Sequence, residues 1–390
     1  MIRGVDYKMR KKICFMLIAL CCISGCSAST ENKKDSEEPV ISEKSETAFP
    51  VKTKETVQKV KKEDEREVTD RDFNKDDYYI SMTVLEDEGN DTMTCSYCYD
   101  FKTGRCWKVW QNDSFAQYSI MTYDWKNNKV YYMQNEGMDE NGHLGSDSIC
   151  AHDLSSGNNE VLTEDFYAIN YLIPVGDKLN IIAVARMERA VSLFQYDENT
   201  KEVERAEELD NDLTVEQVSY SPVTNKAAIA GYLEADMTKK MDEANERAAA
   251  INDISPIMSA GRYLYTSDDG LTTLDYQFKA DYAIDKFAIT PRGKLYYTQS
   301  ECETNEKPPE LWYKYFPGDT ILCESFFRKI EGIHIYSYYS VFMDDIHMYC
   351  IGSIDNKRAI YCCNVEDGTI EEVVSLDNGY INNFVILKKN

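Results

Sequence analysis

From Asp76 onward the hydrophobic and polar positions follow one repeating pattern. A short apolar strand leads to a tight polar turn, and a second strand rich in Tyr, Ile or Val follows. A connection then leads to two more strands joined by a glycine or asparagine turn. The second strand reads Tyr78-Tyr79-Ile80-Ser81-Met82 and then Val130-Tyr131-Tyr132-Met133, and it returns from Leu179, Ala227, Leu295 and His347. The third strand and its turn read Cys98-Tyr99-Asp100-Phe101-Lys102-Thr103-Gly104 and recur from Cys150, Phe194, Tyr263, Trp312 and Tyr361. Six copies spaced near 50 residues apart, each of four short strands with Gly, Asn and Asp at the turns, predict an all-β chain, a six-bladed β-propeller. Seven blades remain open if one copy is irregular. A row of β-sandwich domains would need roughly 100 residues each and long Greek-key connections, and all but one of the connections here are short.

The first copy begins at its second strand. The run Phe384-Val385-Ile386-Leu387 has no strands after it and is expected to supply the missing inner strand of the first blade, which removes an open sheet edge. One element breaks the pattern. Met237, Met241, Ala244, Ala248 and Ile251 share a helical stripe, so an amphipathic helix is predicted over about 236–252, between strands two and three of the fourth blade. Asp236 is placed to cap it, and Glu243 with Arg247 forms an i,i+4 pair. Such a helix docks on its own propeller or serves as a lid or partner-binding element.

Loop length separates two faces. Turns between strands one and two, and between three and four, are tight. Connections between strands two and three read as long and acidic: Glu86-Asp87-Glu88, residues 136–147, the inserted helix, and residues 301–309. Binding residues gather on long loops held by a rigid scaffold. Tyr118, Tyr171, Tyr220, Tyr282, Tyr336 and Tyr380 each come from a different blade. Tyr118, Tyr171 and Tyr282 are expected to border a central opening on the long-loop face, and with His334 and Tyr336 they make the candidate ligand set. An aromatic floor inside an acidic rim suits a cationic or amphipathic ligand.

The first 75 residues are of two other kinds. Arg10, Lys11 and Lys12 precede an apolar run over 13–22, which is too short to span a bilayer, and Ile23-Ser24-Gly25-Cys26 follows. This resembles the lipobox of bacterial lipoproteins. The resemblance implies a signal peptide over 1–25, acylation (palmitate) of Cys26, and a chain anchored on the outer face of the bacterial cytoplasmic membrane. Met9 begins Met-Arg-Lys-Lys and is a second candidate start. Residues 26–75 hold thirteen acids and eleven bases with little apolar surface, so a disordered tether is expected. Ser219-Tyr220-Ser221-Pro222-Val223-Thr224-Asn225-Lys226 and Thr290-Pro291-Arg292-Gly293-Lys294 resemble the Ser-Pro-Asp-Gly-Lys turn of TolB-like propellers. That resemblance implies the fold and an envelope location. It does not carry over TolB's role, whose extra N-terminal domain has no counterpart here.

The formal net charge is −25, and residues 76–390 alone carry 27 bases against 54 acids. Such a surface repels nucleic acid and favours a soluble monomer; a cationic partner is the sharper consequence. Among catalytic signatures, Gly-x-Ser-x-Gly, a Walker loop and His-Glu-x-x-His are all absent. The four histidines, His143, His152, His334 and His347, are scattered. The expectation is therefore a membrane-anchored propeller that binds a ligand or protein partner, without catalysis or cofactor. The alternative is a polysaccharide- or peptide-acting enzyme using the central cleft. Asp139, Asn141 and Asp147 form an incomplete calcium set, lacking the regular acid spacing and terminal Glu of an EF-hand. Cys95 and Cys98 lie in a strand-like run, where an offset of three puts the sulfurs on opposite faces. Cys362 and Cys363 oppose each other likewise, and most of the nine cysteines beyond Cys26 are read as small strand hydrophobes with free thiols.

Overall fold

A computed structural model describes residues 73–88, 91–112, 119–135, 137, 145–251, 255–303, 313–314 and 332–390. The chain divides into two units, Met1–Glu65 and Arg66–Asn390, and these residues all belong to the second. Cys26, the tether up to residue 72, Tyr118, Asp139, Asn141 and His143 lie outside the described residues.

The first blade contains β1 (Tyr78–Glu88), β2 (Asp91–Asp100) and β3 (Arg105–Asn112). The second has β4 (Met121–Asp124), β5 (Lys129–Asn135), β6 (Asp147–Asp153) and the start of β7 (Asn159–Val175). β7 runs on as the inner strand of the third blade, followed by β8 (Lys178–Ala185), β9 (Val191–Asp197) and β10 (Val203–Arg205). One seven-stranded sheet, β10-β9-β8-β7-β6-β5-β4, thus covers two blades. β7 pairs with β6 up to Phe166 and with β8 from Phe166 onward. The fourth blade is β11 (Leu213–Tyr220), β12 (Ala227–Leu233), helix α1 (Glu234–Ile251), β13 (Arg262–Ser267) and β14 (Asp275–Ala280). The fifth shows β15 (Ala283–Ile289), β16 (Leu295–Ser300) and β17 (Tyr313–Lys314). The sixth is β18 (His334–Phe342), β19 (His347–Ile354), β20 (Lys357–Asn364) and β21 (Ile370–Ser375).

The last strand, β22 (Tyr380–Lys388), pairs antiparallel with β1, placing Phe384 opposite Met82 and Ile386 opposite Ile80. The sheet order β22-β1-β2-β3 makes the chain's final strand the inner strand of its first blade, as its apolar run predicts. Beyond β22, the Lys389 N–H donates to the Asp77 carbonyl, and the Lys389 ammonium donates to Asp100 Oδ1 at 2.5 Å.

The apolar runs are continuous because most blades are buried on both sides. Val130 and Tyr132 pack in one hydrophobic cluster, and Tyr131 and Met133 in another. Cys362 and Cys363 divide between two clusters in the same way. In β2, Cys95 stands opposite Val84 and Cys98 opposite Ser81, on alternate faces, and both thiols are buried and free. Hydrogen bonds join neighbouring blades. Thr83 Oγ1 donates to the Met121 carbonyl at 2.9 Å, and Thr122 Oγ1 to the Leu172 carbonyl at 2.8 Å. Ser219 accepts from the Ile289 N–H at 3.0 Å and donates to the Ser340 carbonyl at 3.2 Å, so the inner strands of blades four, five and six meet at one buried hydroxyl.

Both Ser-Pro-like segments occupy the turn between strands one and two. In the first, the Ser221 N–H donates to the Lys226 carbonyl at 2.7 Å, and Asn225 takes a φ of 59° with its Oδ1 accepting from the Tyr220 hydroxyl at 2.8 Å. Asparagine tolerates this left-handed position better than most residues. In the second, Gly293 fills the corresponding place at φ 86°.

Candidate functional site

In an antiparallel four-stranded blade, the turns between strands one and two and between three and four emerge at one end. The turns between two and three, and the passages between blades, emerge at the other. The relief of this second face differs from the sequence expectation. Glu86-Asp87-Glu88 is strand, not loop: β1 and β2 stay paired to Glu88 opposite Asp91. Tyr97 and Lys108 both donate to Glu86, the lysine at 2.7 Å. Partial burial opposes ionisation of this carboxyl, but these donors outweigh it and hold its pKa below the usual range. On blade six, β19 and β20 are joined by a two-residue turn, Asp355 and Asn356, at φ 48° and 65°. Two consecutive positive φ values fit a type I′ hairpin turn. The face is therefore low over blades six and one. It is high over blades three and four, where α1 and residues 186–190 project.

On the high side, α1 continues directly from β12. Its N-terminus is capped by Asp212, 22 residues before it in sequence, and not by the expected Asp236. The Asp212 carbonyl accepts the Glu234 N–H, and its Oδ2 accepts the Ala235 N–H, both at 3.0 Å. Asp236 pairs instead with Lys279 at 3.0 Å. The expected Glu243–Arg247 pair is replaced by Lys240–Glu243 at 3.3 Å, while Arg247 donates to Ser255 Oγ and the Pro256 carbonyl. The stripe itself holds: Ala244 is buried, Met237, Met241 and Ala248 are half-buried, and only Ile251, at the helix end, is exposed. Between α1 and blade three lies a cleft of about 860 Å³, lined among others by Glu188, Arg189, Arg205, Asp212, Asp242 and Glu246. Met187, next in sequence to the lining residue Glu188, is 96 % exposed with φ 68°.

Between blades four and five, Arg262 is almost wholly buried. Its Nε donates to Glu216 at 2.6 Å, and its Nη1 and Nη2 reach the two oxygens of Glu303 at 2.9 and 2.7 Å. Desolvation alone would weaken this cation; the two carboxylates reverse that and raise its pKa. The group ties the segment after α1 to the exit of β16, where Met258 bridges Cys302.

On the low side, one rung crosses blade six. His334 of β18 stands opposite Ser353 of β19, which stands opposite Arg358 of β20. Arg358 lies 4.1 Å from the Tyr336 ring centre and 4.0 Å from that of Tyr380. Its Nε donates to the Ile381 carbonyl at 2.6 Å, and its Nη1 is buried without a hydrogen-bond partner. His334 meets Tyr336 edge-on at 4.7 Å.

The expected ligand residues thus separate. His334 and Tyr336 come together on blade six, joined by Tyr380. Tyr171 is buried in the core. Tyr282 is half-buried, its hydroxyl 3.0 Å from that of Tyr297. Asp147 is fully buried in β6, accepting from Asn135 at 2.6 Å, with its other oxygen unpartnered. Burial raises its pKa, and the Asn135 hydrogen bond offsets only part of the rise. Among the described residues no cluster of three or more His, Cys, Asp or Glu could hold a metal ion. His152 stacks on Trp110 at 4.5 Å, and His347 Nδ1 lies 2.8 Å from Asp344 Oδ2, so these two serve separate local contacts. Arg358, Arg262 and Met187 were not among the sequence candidates.

No family model matches this chain, and no curated protein matches it in sequence. Among solved structures it is similar to TolB from Acinetobacter baumannii, at 15 % identity over 80 % of this chain and 67 % of that one, with a TM-score of 0.46. The β-propeller domain of the Trilobed protease from Pyrococcus furiosus shares 12 % identity over 77 % and 93 %, at 0.39. An oligogalacturonate lyase from Vibrio parahaemolyticus shares 13 % over 76 % and 72 %, at 0.41. Likeness at this level says nothing of what this chain binds.

Proposed function

We propose that this chain is a lipid-anchored extracytoplasmic propeller that binds a ligand or protein partner on the face bearing α1, without chemistry of its own. The difference between the two faces carries the reading. One face is built of tight turns held by their own Asp and Ser side chains, as where Asp197 Oδ1 accepts the Asn199 and Thr200 N–H groups. The other carries a helix, a cleft and an exposed methionine, Met187, and binding residues gather on such projecting segments held by a rigid scaffold.

The test is capture of partners by the full-length protein from detergent-solubilised membranes of its host. Met187→Glu and the pair Asp242→Lys with Glu246→Lys should abolish capture of a specific partner. Ser155→Lys and Asn199→Lys, on the tight-turn face, should not. Loss confined to the tight-turn variants would invert the orientation proposed.

A further inference from the structure

The ring of Tyr336 was expected to serve a ligand, yet a cation of the chain itself already lies against it and against the ring of Tyr380. A guanidinium packed against two aromatic faces is held in orientation and spends its π-attraction internally. What it still offers is its hydrogen-bonding edge. Arg358 has five N–H donors. Its Nε is committed to the Ile381 carbonyl, and its Nη1 has no acceptor although it is shut away from water. A buried donor left without an acceptor is unfavourable, and in a protein of net charge −25 the shortage is not one of anionic groups. Glu371 and Glu372 are near in sequence, but Glu372 is taken by Lys357 at 2.7 Å and by Ser375.

The surroundings match a small polar group. His334 and Ser353 share the rung with Arg358, and the Tyr336 hydroxyl lies 3.5 Å from Ser353 Oγ. Tyr380, the first residue of β22, is 39 % exposed. It forms the outer wall of the site, its backbone paired with Leu85 of β1. The site lies on the low side of the working face, beside the two-residue turn between β19 and β20.

We propose that Arg358, clamped between Tyr336 and Tyr380, recognises an oxyanion, a carboxylate or a phosphate, on the ligand of this face. The inference rests on the binding role above and adds the chemistry of one part of the ligand. A planar fork fixed in orientation meets such a group with two parallel hydrogen bonds, and a lysine in its place cannot.

The experiment titrates the full-length protein with sodium acetate and, separately, with inorganic phosphate at constant ionic strength, following the guanidinium NMR signals of ¹⁵N-arginine-labelled protein and the melting temperature. One arginine signal should shift saturably with at least one of the two anions, and which one distinguishes carboxylate from phosphate. Arg358→Lys keeps the charge and should lose that signal and weaken binding by about ten-fold or more, as expected when one charge-assisted hydrogen bond of a pair is removed. The outcome that overturns the proposal is no saturable shift with either anion, or an unchanged affinity in Arg358→Lys. If that variant does not fold, Tyr380→Ala, which removes an exposed wall, supplies the second measurement: the affinity should change while the melting temperature moves little, and an unchanged affinity counts against the site. Failure of partner capture with intact anion binding would refute the partner reading alone.

Discussion

Phe384→Ala tests whether the last strand holds the ring closed. Phe384 is 1 % exposed and stands opposite Met82 in the strand pairing that joins the two ends of the fold. Replacing a buried phenylalanine by alanine removes its transfer energy and leaves a cavity, together about 3–5 kcal/mol. For a folded part of this size that lowers the melting temperature by roughly 6–10 °C. The loss should grow on full removal of the strand. Ile381, Phe384, Val385, Ile386 and Leu387 are all buried, each stabilising by about 1.5–3 kcal/mol. Together they match the typical whole stability of a domain, about 5–15 kcal/mol. A chain ending at Gly379 should therefore unfold or self-associate through the freed edge of β1. The assay is thermal unfolding by circular dichroism with light scattering, and Tyr167→Ser, at a 58 % exposed position, is the control expected to move little. If Phe384→Ala melted with the control, β22 would not be what closes the molecule, and the ring as described would be wrong.

Three further outcomes are expected. Asp147→Asn should stabilise the protein by about 1–3 kcal/mol near neutral pH. The folded state raises this carboxyl's pKa, so aspartate contributes favourably in acid and loses that contribution as pH rises through its folded value; the advantage of asparagine should fade by pH 4, and a pH-independent difference would contradict this. Lys389→Met should destabilise by about 1.5–3 kcal/mol. Burial opposes ionisation of Asp100, but hydrogen bonds from Lys389, Thr103 and Lys102 prevail and depress its pKa. That stabilisation is present above the unfolded aspartate pKa and lost as pH falls through the folded one, so wild type and variant should converge in strong acid, read from melting curves against pH. Cys26→Ser should abolish labelling by a fatty-acid probe in the host; equal labelling of variant and parent would remove the proposed anchor.

Much of the fold was legible because a blade is a local object. Strand, turn and strand lie within about 20 residues, and continuous runs such as Tyr131-Tyr132 and Cys362-Cys363 announce burial on both faces. The closing strand was legible from what the first copy lacked. The site was not, because its parts meet only through register. The rung His334–Ser353–Arg358 depends on which residues of three strands stand opposite, and the Tyr380 wall arrives from a different blade. Asp212 was missed as the cap of α1 because a cap is sought immediately before a helix, and here β12 occupies that place. Glu86-Asp87-Glu88 read as a loop because a charged run is usually solvated; the partners of Glu86, Tyr97 and Lys108, come from β2 and from β3 beyond it.

One junction differs from the others in kind. Blades two and three share β7 as a single strand of 17 residues, whereas the described neighbouring blades elsewhere are joined by chain outside the sheets. At this joint the ladder to β6 hands over to the ladder to β8 at Phe166 of one unbroken strand, so no loop lies between the two blades to serve as a hinge. Any opening of this ring, in unfolding or in response to a load on the molecule, must begin at another seam. Blades two and three would then travel as one plate, and amide exchange along β5, β7 and β8 would be expected to slow and quicken together.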